Sequence, residues 1–317
     1  MNWYYWMWDN KKIAIFGVGG VGGYFGGLLA RKGLDVTFIA TQKTKNAMIE
    51  NGLKIESVDG DFHLEKVQVT DNTTELDPVD LVLVCVKAPQ VPEIINSIKP
   101  LVKEGTVIIP LQNGVDAPSQ LEKEFGSKVL GGSCKVISEK VKPGHIRHSG
   151  VKVVDLGELH GSISHRVKDI KDALDSAGIQ AIAHDDFLTA QWTKMIFVSP
   201  LSAVNGVTRV DCGVLRTIPE TMELLRVCME ETLKVANAKG AKLKPEILET
   251  LMNWVKTVPE HTTTSMQRDI MSGLPSELHY QVGAISRIGK ELGIQTPVND
   301  FLYYSLLPQE KIARQQM

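Results

Sequence analysis

Three glycines near the start of the chain have the spacing of a phosphate-binding turn. The stretch from Ile13 to Leu34 opens with an apolar run, places Gly17, Gly19 and Gly22 in a G-x-G-x-x-G pattern, and continues as an apolar, helix-forming segment. The first glycine permits a tight turn, the second removes a Cβ that would meet a pyrophosphate, and the third lets a helix pack closely on a sheet. Free N–H groups at such a helix start bind phosphate oxygens. The pattern predicts dinucleotide binding, and the alternative is a structural turn without phosphate.

A lysine and a carboxylate in the second half of the chain are candidates for acid–base chemistry. Lys194 lies in the apolar run W-T-K-M-I-F-V-S-P-L. Desolvation lowers the pKa of an amino group, which suits a general acid, whereas the alternative is a lysine that packs its stem on a helix and keeps its charge in water. Glu277 is predicted to open a helix, where a carboxylate also suits the helix dipole. Ser265 follows three threonines and could be an N-cap.

Three further polar residues follow predicted strands. Ligands of open parallel sheets bind beyond the carboxyl ends of the strands. Thr41 stands where an NAD site usually has a carboxylate, and Lys43 and Lys45 follow it, which favours NADP; alternatively, both lysines lie at a helix start. Lys87 could meet a cofactor or substrate, or be a solvated loop charge. Asn113, in Q-N-G, could bind a ribose or a substrate, or mark a plain turn.

These residues need two kinds of scaffold. Up to about residue 183 the pattern alternates strand and helix, which predicts an α/β fold with an N-terminal Rossmann-type, doubly wound parallel sheet. A D-G turn at Asp59-Gly60 predicts a hairpin between two of the strands. The predicted strands cover residues 13–16, 35–40, 53–58, 62–69, 81–86, 106–111, 128–137, 151–156 and 179–183, and the predicted helices cover 91–99 and 164–177.

After residue 184 the periodicity is helical throughout. The predicted helices cover residues 187–204, 214–238, 245–256, 276–292 and 298–307. We therefore predict a dinucleotide-binding domain at 11–184 and an all-helical substrate domain at 185–317. Residues 1–10 are rich in aromatic side chains but lack the basic start and the cleavage site of a signal peptide, so we predict a poorly ordered leader.

The composition argues against several other classes of protein. Thirty-five basic residues stand against thirty-seven acidic ones, with no basic stripe for nucleic acid. No apolar run approaches the roughly 20 residues of a bilayer span. Four scattered cysteines fit a reducing cytosol. The eight histidines include no H-E-x-x-H pattern, and we predict no metal site.

Six short motifs occur in an order that resembles the ketopantoate reductases (2-dehydropantoate 2-reductases). They are G-V-G-G-V-G at Gly17, V-K-A-P-Q at Val86, Q-N-G at Gln112, W-T-K at Trp192, T-S-M-Q-R-D-I at Thr264 and S-E-L at Ser276. The resemblance runs from residue 12 to 307. It implies a Rossmann domain joined to a helical domain and a cytoplasmic, NADPH-dependent reduction of ketopantoate to pantoate on the route to pantothenate.

The resemblance also implies roles for single residues. Lys194 matches the proton donor, and Glu277 matches the glutamate that contacts the cofactor and the substrate side of the site. The residues implied to bind substrate are Asn113, Ser202 and Ser265. The residues implied to bind NADP(H) are Gly17, Val18, Gly19, Gly20, Val21, Gly22, Thr41, Lys87, Asn113, Ser138 and Glu277.

Several positions depart from the family pattern. Members commonly carry asparagines where this chain has Val198, Ser202 and Cys212, and many carry a basic residue in place of Thr41. Serine can still form hydrogen bonds, but valine cannot. A buried substrate hydroxyl without a partner costs about 1–3 kcal/mol. A reductase of another 2-oxo acid and a non-catalytic NADPH-binding protein are therefore kept as alternatives, and the oligomeric state is open, with a homodimer among the options.

Overall fold

The computed structural model describes Trp8 and residues 10–315, so most of the predicted leader lies outside the described residues. The chain forms two compact units. The first runs up to Gln112 and resumes at Ala117–Phe187, and the second comprises Asn113–Asp116 and the chain from Leu188 onward.

Among the described residues, the first unit holds the strands and five α-helices. The strands are β1 (Lys12–Phe16), β2 (Asp35–Ile39), β3 (Leu53–Ser57), β4 (Phe62–Leu64), β5 (Gln68–Thr70), β6 (Val79–Val84), β7 (Val102–Pro110), β8 (Leu130–Lys142), β9 (His145–Glu158) and β10 (Gln180–Ala183). The helices are α1 (Gly20–Arg31), α2 (Gln42–Asn51), α3 (Val91–Ile98), α4 (Ala117–Phe125) and α5 (His165–Ser176).

One sheet of this unit is wholly parallel, in the order β5-β2-β1-β6-β7. Alternate residues of β1 enter different cores: Ile13 and Ile15 pack in one cluster, Ala14 and Phe16 in the other. Because successive side chains of a strand point to opposite faces, both faces of this sheet are covered. Burial on both faces explains the continuous apolar runs in the sequence, and the predicted α/β fold class is confirmed.

A second, mixed sheet was not anticipated. Its order is β10-β9-β3-β4, and β8 pairs antiparallel with the long β9. The hairpin across Asp59-Gly60 forms between β3 and β4 in this sheet. The single strand predicted at 62–69 is wrong, since it divides at Glu65-Lys66 and β5 joins the parallel sheet beside β2. Two charged residues interrupt the apolar alternation there, which frees the chain to change sheets.

The second unit is helical, as predicted. Its helices are α6 (Phe187–Thr208), α7 (Cys212–Leu215), α8 (Pro219–Ala238), α9 (Ile247–Thr257), α10 (Ser265–Met271), α11 (Val282–Leu292) and α12 (Pro297–Ala313). Its core takes buried side chains from all of these helices, among them Trp192, Met229, Ile285 and Leu302. The helix predicted at 214–238 is interrupted, because Pro219 lacks an N–H and begins a new helix.

Two structural absences hold for the described part of the chain. No helix there combines the length and the apolar character needed to cross a bilayer. No group of three or more His, Cys, Asp or Glu side chains is arranged to hold a metal ion.

Candidate active site

The glycine turn lies between β1 and α1 in the first unit. Gly17 has a φ of 100°, in the region that favours glycine, and its N–H donates to the carbonyl of Ile39 at 3.0 Å. Gly19 is the N-cap of α1, and no acidic residue lies in the first turn of that helix. A Cβ added at Gly19 would meet no protein atom within 4 Å, so the space beside this residue is open to a ligand. An open cradle at an uncapped helix N-terminus fits the pyrophosphate of a dinucleotide.

The other glycines of the turn are packed against protein. A Cβ at Gly22 would lie 2.0 Å from the carbonyl oxygen of Gly17, so only glycine lets α1 approach the turn. A Cβ at Gly20 would lie 2.5 Å from the carbonyl oxygen of Ser138 in β8. The backbone of Ser138 therefore lies against the glycine turn, while its buried hydroxyl has no hydrogen-bond partner among the described residues.

Thr41 follows β2 as the N-cap of α2. No carboxylate stands at this strand end, and Lys43 is exposed. Lys45, in contrast, forms an ion pair with Asp71 at 2.7 Å. Lys45 therefore has a structural partner, whereas Lys43 is exposed to solvent.

A residue that sequence reasoning did not single out holds the ends of two strands together. The side-chain amide of Gln112 donates to the carbonyls of Val84 and Val86, at 2.9 and 2.8 Å. It thereby joins the chain after β7 to the chain after β6. Lys87 directly follows Val86, one of the two residues that Gln112 binds, and is exposed at the start of a short 3₁₀ turn. Its N–H donates to Gln90 Oε1 at 3.2 Å.

In the second unit, one amide bridges the two candidate catalytic side chains. Lys194 Nζ donates to Asn113 Oδ1 at 2.9 Å, and Asn113 Nδ2 donates to Glu277 Oε2 at 3.0 Å. Glu277 is buried, whereas the other two side chains are half-buried. The three residues lie far apart in the chain, so α6, the short 113–116 segment and the turn before α11 must pack together to assemble them.

Glu277 does not open a helix, contrary to the prediction. Helix α11 begins at Val282, and the residues before it form a turn. The carbonyl of Glu277 accepts the N–H groups of Tyr280 and Gln281, each at 3.0 Å. Gln281 Nε2 also approaches the Glu277 carboxylate at 3.4 Å. A turn, rather than a helix dipole, therefore sets the direction of this carboxylate.

The other predicted substrate residues lie outside this cluster of contacts. Ser202, on α6, is fully buried, and its hydroxyl has no hydrogen-bond partner among the described residues. Ser265 is exposed as the first residue of α10, where Thr264 is the N-cap. Asn205, also fully buried on α6, was not singled out; its amide donates to Cys212 Sγ at 3.7 Å.

An ammonium, a neutral amide and a carboxylate are thus joined in one hydrogen-bonded series. Together with a phosphate-binding turn in a parallel α/β unit, this set is typical of a dinucleotide-dependent oxidoreductase.

Comparison with known proteins defines the family. The family model described as Ketopantoate reductase PanE/ApbA matches residues 13–161, and that of its C-terminal domain matches residues 186–310. The 2-dehydropantoate 2-reductase of Nostoc sp. is 28% identical over 305 residues, covering 94% of this chain and 95% of that protein. The chain belongs to the ketopantoate reductase family.

Solved structures agree with this membership. The 2-dehydropantoate 2-reductase of Geobacter metallireducens superposes with a TM-score of 0.88 at 29% identity, covering 94% of this chain and 99% of that one. A D-mandelate dehydrogenase, solved as a ternary structure with NADH and anilino(oxo)acetate, gives a TM-score of 0.87 at 25% identity, covering 96% and 99%. The family fold therefore includes enzymes named for different substrates.

Proposed function

We propose that this oxidoreductase uses NADPH to reduce 2-dehydropantoate to pantoate, a cytoplasmic step towards pantothenate. The observation that carries the proposal is the bridge from Lys194 through Asn113 to Glu277. Family membership and the curated reductases of similar length support the substrate. The free thiols of all four cysteines accord with a reducing compartment.

Lys194 is the proton donor in this proposal. When bound, NADPH supplies a hydride to the ketone carbon of the substrate. Negative charge then develops on the ketone oxygen, where a cationic acid stabilises the transition state and protonates the alkoxide. The ammonium of Lys194 supplies both the charge and the proton.

Asn113 and Glu277 orient that ammonium. A carboxylate only accepts hydrogen bonds, so Glu277 fixes the Asn113 amide with its NH₂ group towards the carboxylate. The amide oxygen then faces Lys194 and holds its Nζ at 2.9 Å. Glu277 is also the anionic member of this hydrogen-bonded series and balances the charge of the ammonium.

The first unit binds the cofactor in this proposal. Gly17 to Gly22 and the N-terminus of α1 hold the pyrophosphate, supported by the open space beside Gly19. The neutral Thr41 and the exposed Lys43 support NADPH over NADH, because neither repels a 2′-phosphate. In the same proposal, Ser138 contributes backbone contacts beside the turn, supported by its closeness to Gly20, and Lys87 meets the nicotinamide end.

A second candidate function is the reduction of another 2-oxo acid. Val198, half-buried one helical turn after Lys194, offers an apolar surface with no hydrogen-bonding group. Cys212 is fully buried, and burial raises the pKa of its thiol, so it stays a neutral, weak hydrogen-bonding group. These residues favour a substrate with fewer hydroxyls than ketopantoate.

The experiment that tests the proposal follows NADPH absorbance with ketopantoate, 2-oxoisovalerate, pyruvate and phenylglyoxylate. We expect ketopantoate to give the highest kcat/KM, and NADPH to exceed NADH. A higher kcat/KM with 2-oxoisovalerate or phenylglyoxylate would establish the second candidate. Binding of NADPH without oxidation by any oxo acid would make the protein a non-catalytic nucleotide binder. Size-exclusion chromatography with light scattering determines the oligomeric state and shows whether the protein is a homodimer.

A further inference from the structure

The C-terminal helix α12 binds the residue that directly precedes Glu277. Glu310, buried on α12, accepts the N–H of Ser276 at 3.1 and 3.0 Å through its two carboxylate oxygens. The hydroxyl of Ser276 donates to the same carboxylate at 2.5 Å. One side chain of a distant helix therefore binds both hydrogen-bond donors of Ser276.

Arg314 completes this arrangement one turn further along α12. Its Nη2 donates to the carbonyl of Ser276 at 2.6 Å, and its Nε donates to Glu310 at 2.6 Å. The carboxylate and the guanidinium thus bind the backbone N–H and C=O of one residue and each other. Ser276 consequently has little freedom to rotate its backbone.

Hydrogen bonds on the far side of Glu277 extend the constraint. The Ser276 hydroxyl accepts the N–H of Leu278 at 3.1 Å, so it links the two neighbours of the glutamate. The hydroxyl of Tyr303, also on α12, forms a hydrogen bond with His279 Nδ1. The turn is therefore attached to α12 at two points, one on each side of Glu277.

Resting on the proposed function, we propose that Glu310 and Arg314 are positioning residues, which act on proton transfer by fixing the turn that carries Glu277. Burying the Glu310 carboxylate beside the partly exposed Arg314 costs desolvation energy, and such a pair contributes little net stability compared with apolar packing. The pair instead fixes the geometry of the turn, because the N–H, the hydroxyl and the carbonyl of Ser276 all form hydrogen bonds with it. Fixing Ser276 fixes the direction in which the Glu277 carboxylate meets Asn113.

The test asks whether Glu310 acts through Glu277. In the parent enzyme, Glu310→Gln should lower kcat at least ~10-fold, since displacing a catalytic group by about 1 Å can cost 10²-fold. In a Glu277→Gln background the same substitution should change kcat less than about twofold, because the group that it positions is already disabled. Ser276→Ala, which removes only the hydroxyl, should show the same dependence with a smaller loss.

Two substitutions on the same helix serve as matched controls. Gln309→Ala changes an exposed neighbour of Glu310. Lys311→Gln removes an exposed positive charge and is the control for Arg314→Gln, which removes the positive charge that binds Ser276. Both controls should keep parental kcat, and Arg314→Lys should recover part of the activity that Arg314→Gln loses. Equal losses from Glu310→Gln in both backgrounds, which a general loss of folding would produce, would overturn the proposal.

The remaining outcomes separate this inference from the proposed function. An impaired Glu277→Gln enzyme together with a fully active Glu310→Gln enzyme would overturn the positioning role alone. A fully active Glu277→Gln enzyme would refute the catalytic role of Glu277, and the positioning role with it. Thermal unfolding of each variant reports how much of any loss comes from instability.

Discussion

At the scale of single residues, Asn113 is the side chain on which the proposed site depends. A primary amide has an acceptor at one end and a donor at the other, and here both are used between side chains of different character. Neither a carboxylate nor an amine at this position could accept from Lys194 and donate to Glu277 together. The bridge therefore depends on a side chain that accepts and donates at the same time, here an amide, whereas Q-N-G in the sequence could equally have marked a plain turn.

Asn113→Asp tests this directly. The new carboxylate would be unable to donate to Glu277 and would lie about 3 Å from it, so two like charges would repel each other. Loss of a hydrogen bond to a charged group costs about 1.5–3 kcal/mol, and each 1.4 kcal/mol is about tenfold in rate. We therefore expect kcat to fall at least ~10-fold in steady-state assays. Asn253→Asp, at an exposed position on α9, should keep parental kcat; equal activity of both variants would show that the bridge is not used.

At the scale of elements, α1 contains glycines that differ in the space available for a side chain. A Cβ at Gly22 would come within 2.8 Å of Cys85 Cβ, besides its overlap with the Gly17 carbonyl. A Cβ at Gly27, on the same helix, would make ordinary contacts of 3.4 Å with Ile55 and Leu53. Only the first of these two positions requires glycine on steric grounds.

Alanine at the two positions should therefore have opposite effects. Gly22→Ala should lower the free energy of unfolding by about 1–3 kcal/mol or more, because the helix must move from its place against the turn. Gly27→Ala should leave stability unchanged or raise it by about 0.5–1 kcal/mol, since alanine favours the helix. Urea unfolding monitored by circular dichroism measures both. A larger loss for Gly27→Ala than for Gly22→Ala would contradict the packing described for α1.

The elements that could be predicted from sequence are those with a local signal. The buried strands of the parallel sheet and the long helices of the second unit were found because burial on both faces, or on one helical face, leaves an apolar pattern. Helix α2 was missed because only Thr44 and Met48 of its residues are buried, so its sequence is polar. Whether residues 62–69 form one strand or two depends on the strands with which they pair. Pairing between distant segments leaves no pattern in the local sequence.

At the scale of the whole molecule, the two units carry different parts of the proposed reaction. The glycine turn belongs to the first unit, and the Lys194–Asn113–Glu277 set belongs to the second. Asn113–Asp116 is grouped with the helical unit although it lies between β7 and α4 in the chain. Motif order could predict the three site residues, but not that Asn113 joins the helical unit, nor the support from Gln112 and Glu310. Those contacts depend on packing between segments far apart in sequence.

Because the glycine turn belongs to the first unit, we expect a substitution at Gly19 to remove cofactor binding without lowering the stability of the fold. Gly19→Val should abolish NADPH binding, because a branched side chain would occupy the space of the pyrophosphate. The variant should keep parental Tm, since a Cβ there meets no protein atom within 4 Å. Gly105→Val, at an exposed glycine of β7 with equally open surroundings, is the matched control and should bind NADPH normally. Normal NADPH affinity in the Gly19 variant, measured by fluorescence titration, would refute the role of the turn.

The decisive measurement is of kcat and NADPH affinity for Lys194→Ala, which removes the proposed proton donor. Lys234→Ala, a substitution at an exposed lysine of α8, is the control. We expect at least ~100-fold loss of kcat for Lys194→Ala, the usual contribution of a positioned acid, with NADPH affinity nearly unchanged. Lys234→Ala should show no loss. Parental turnover in Lys194→Ala would show that another group supplies the proton.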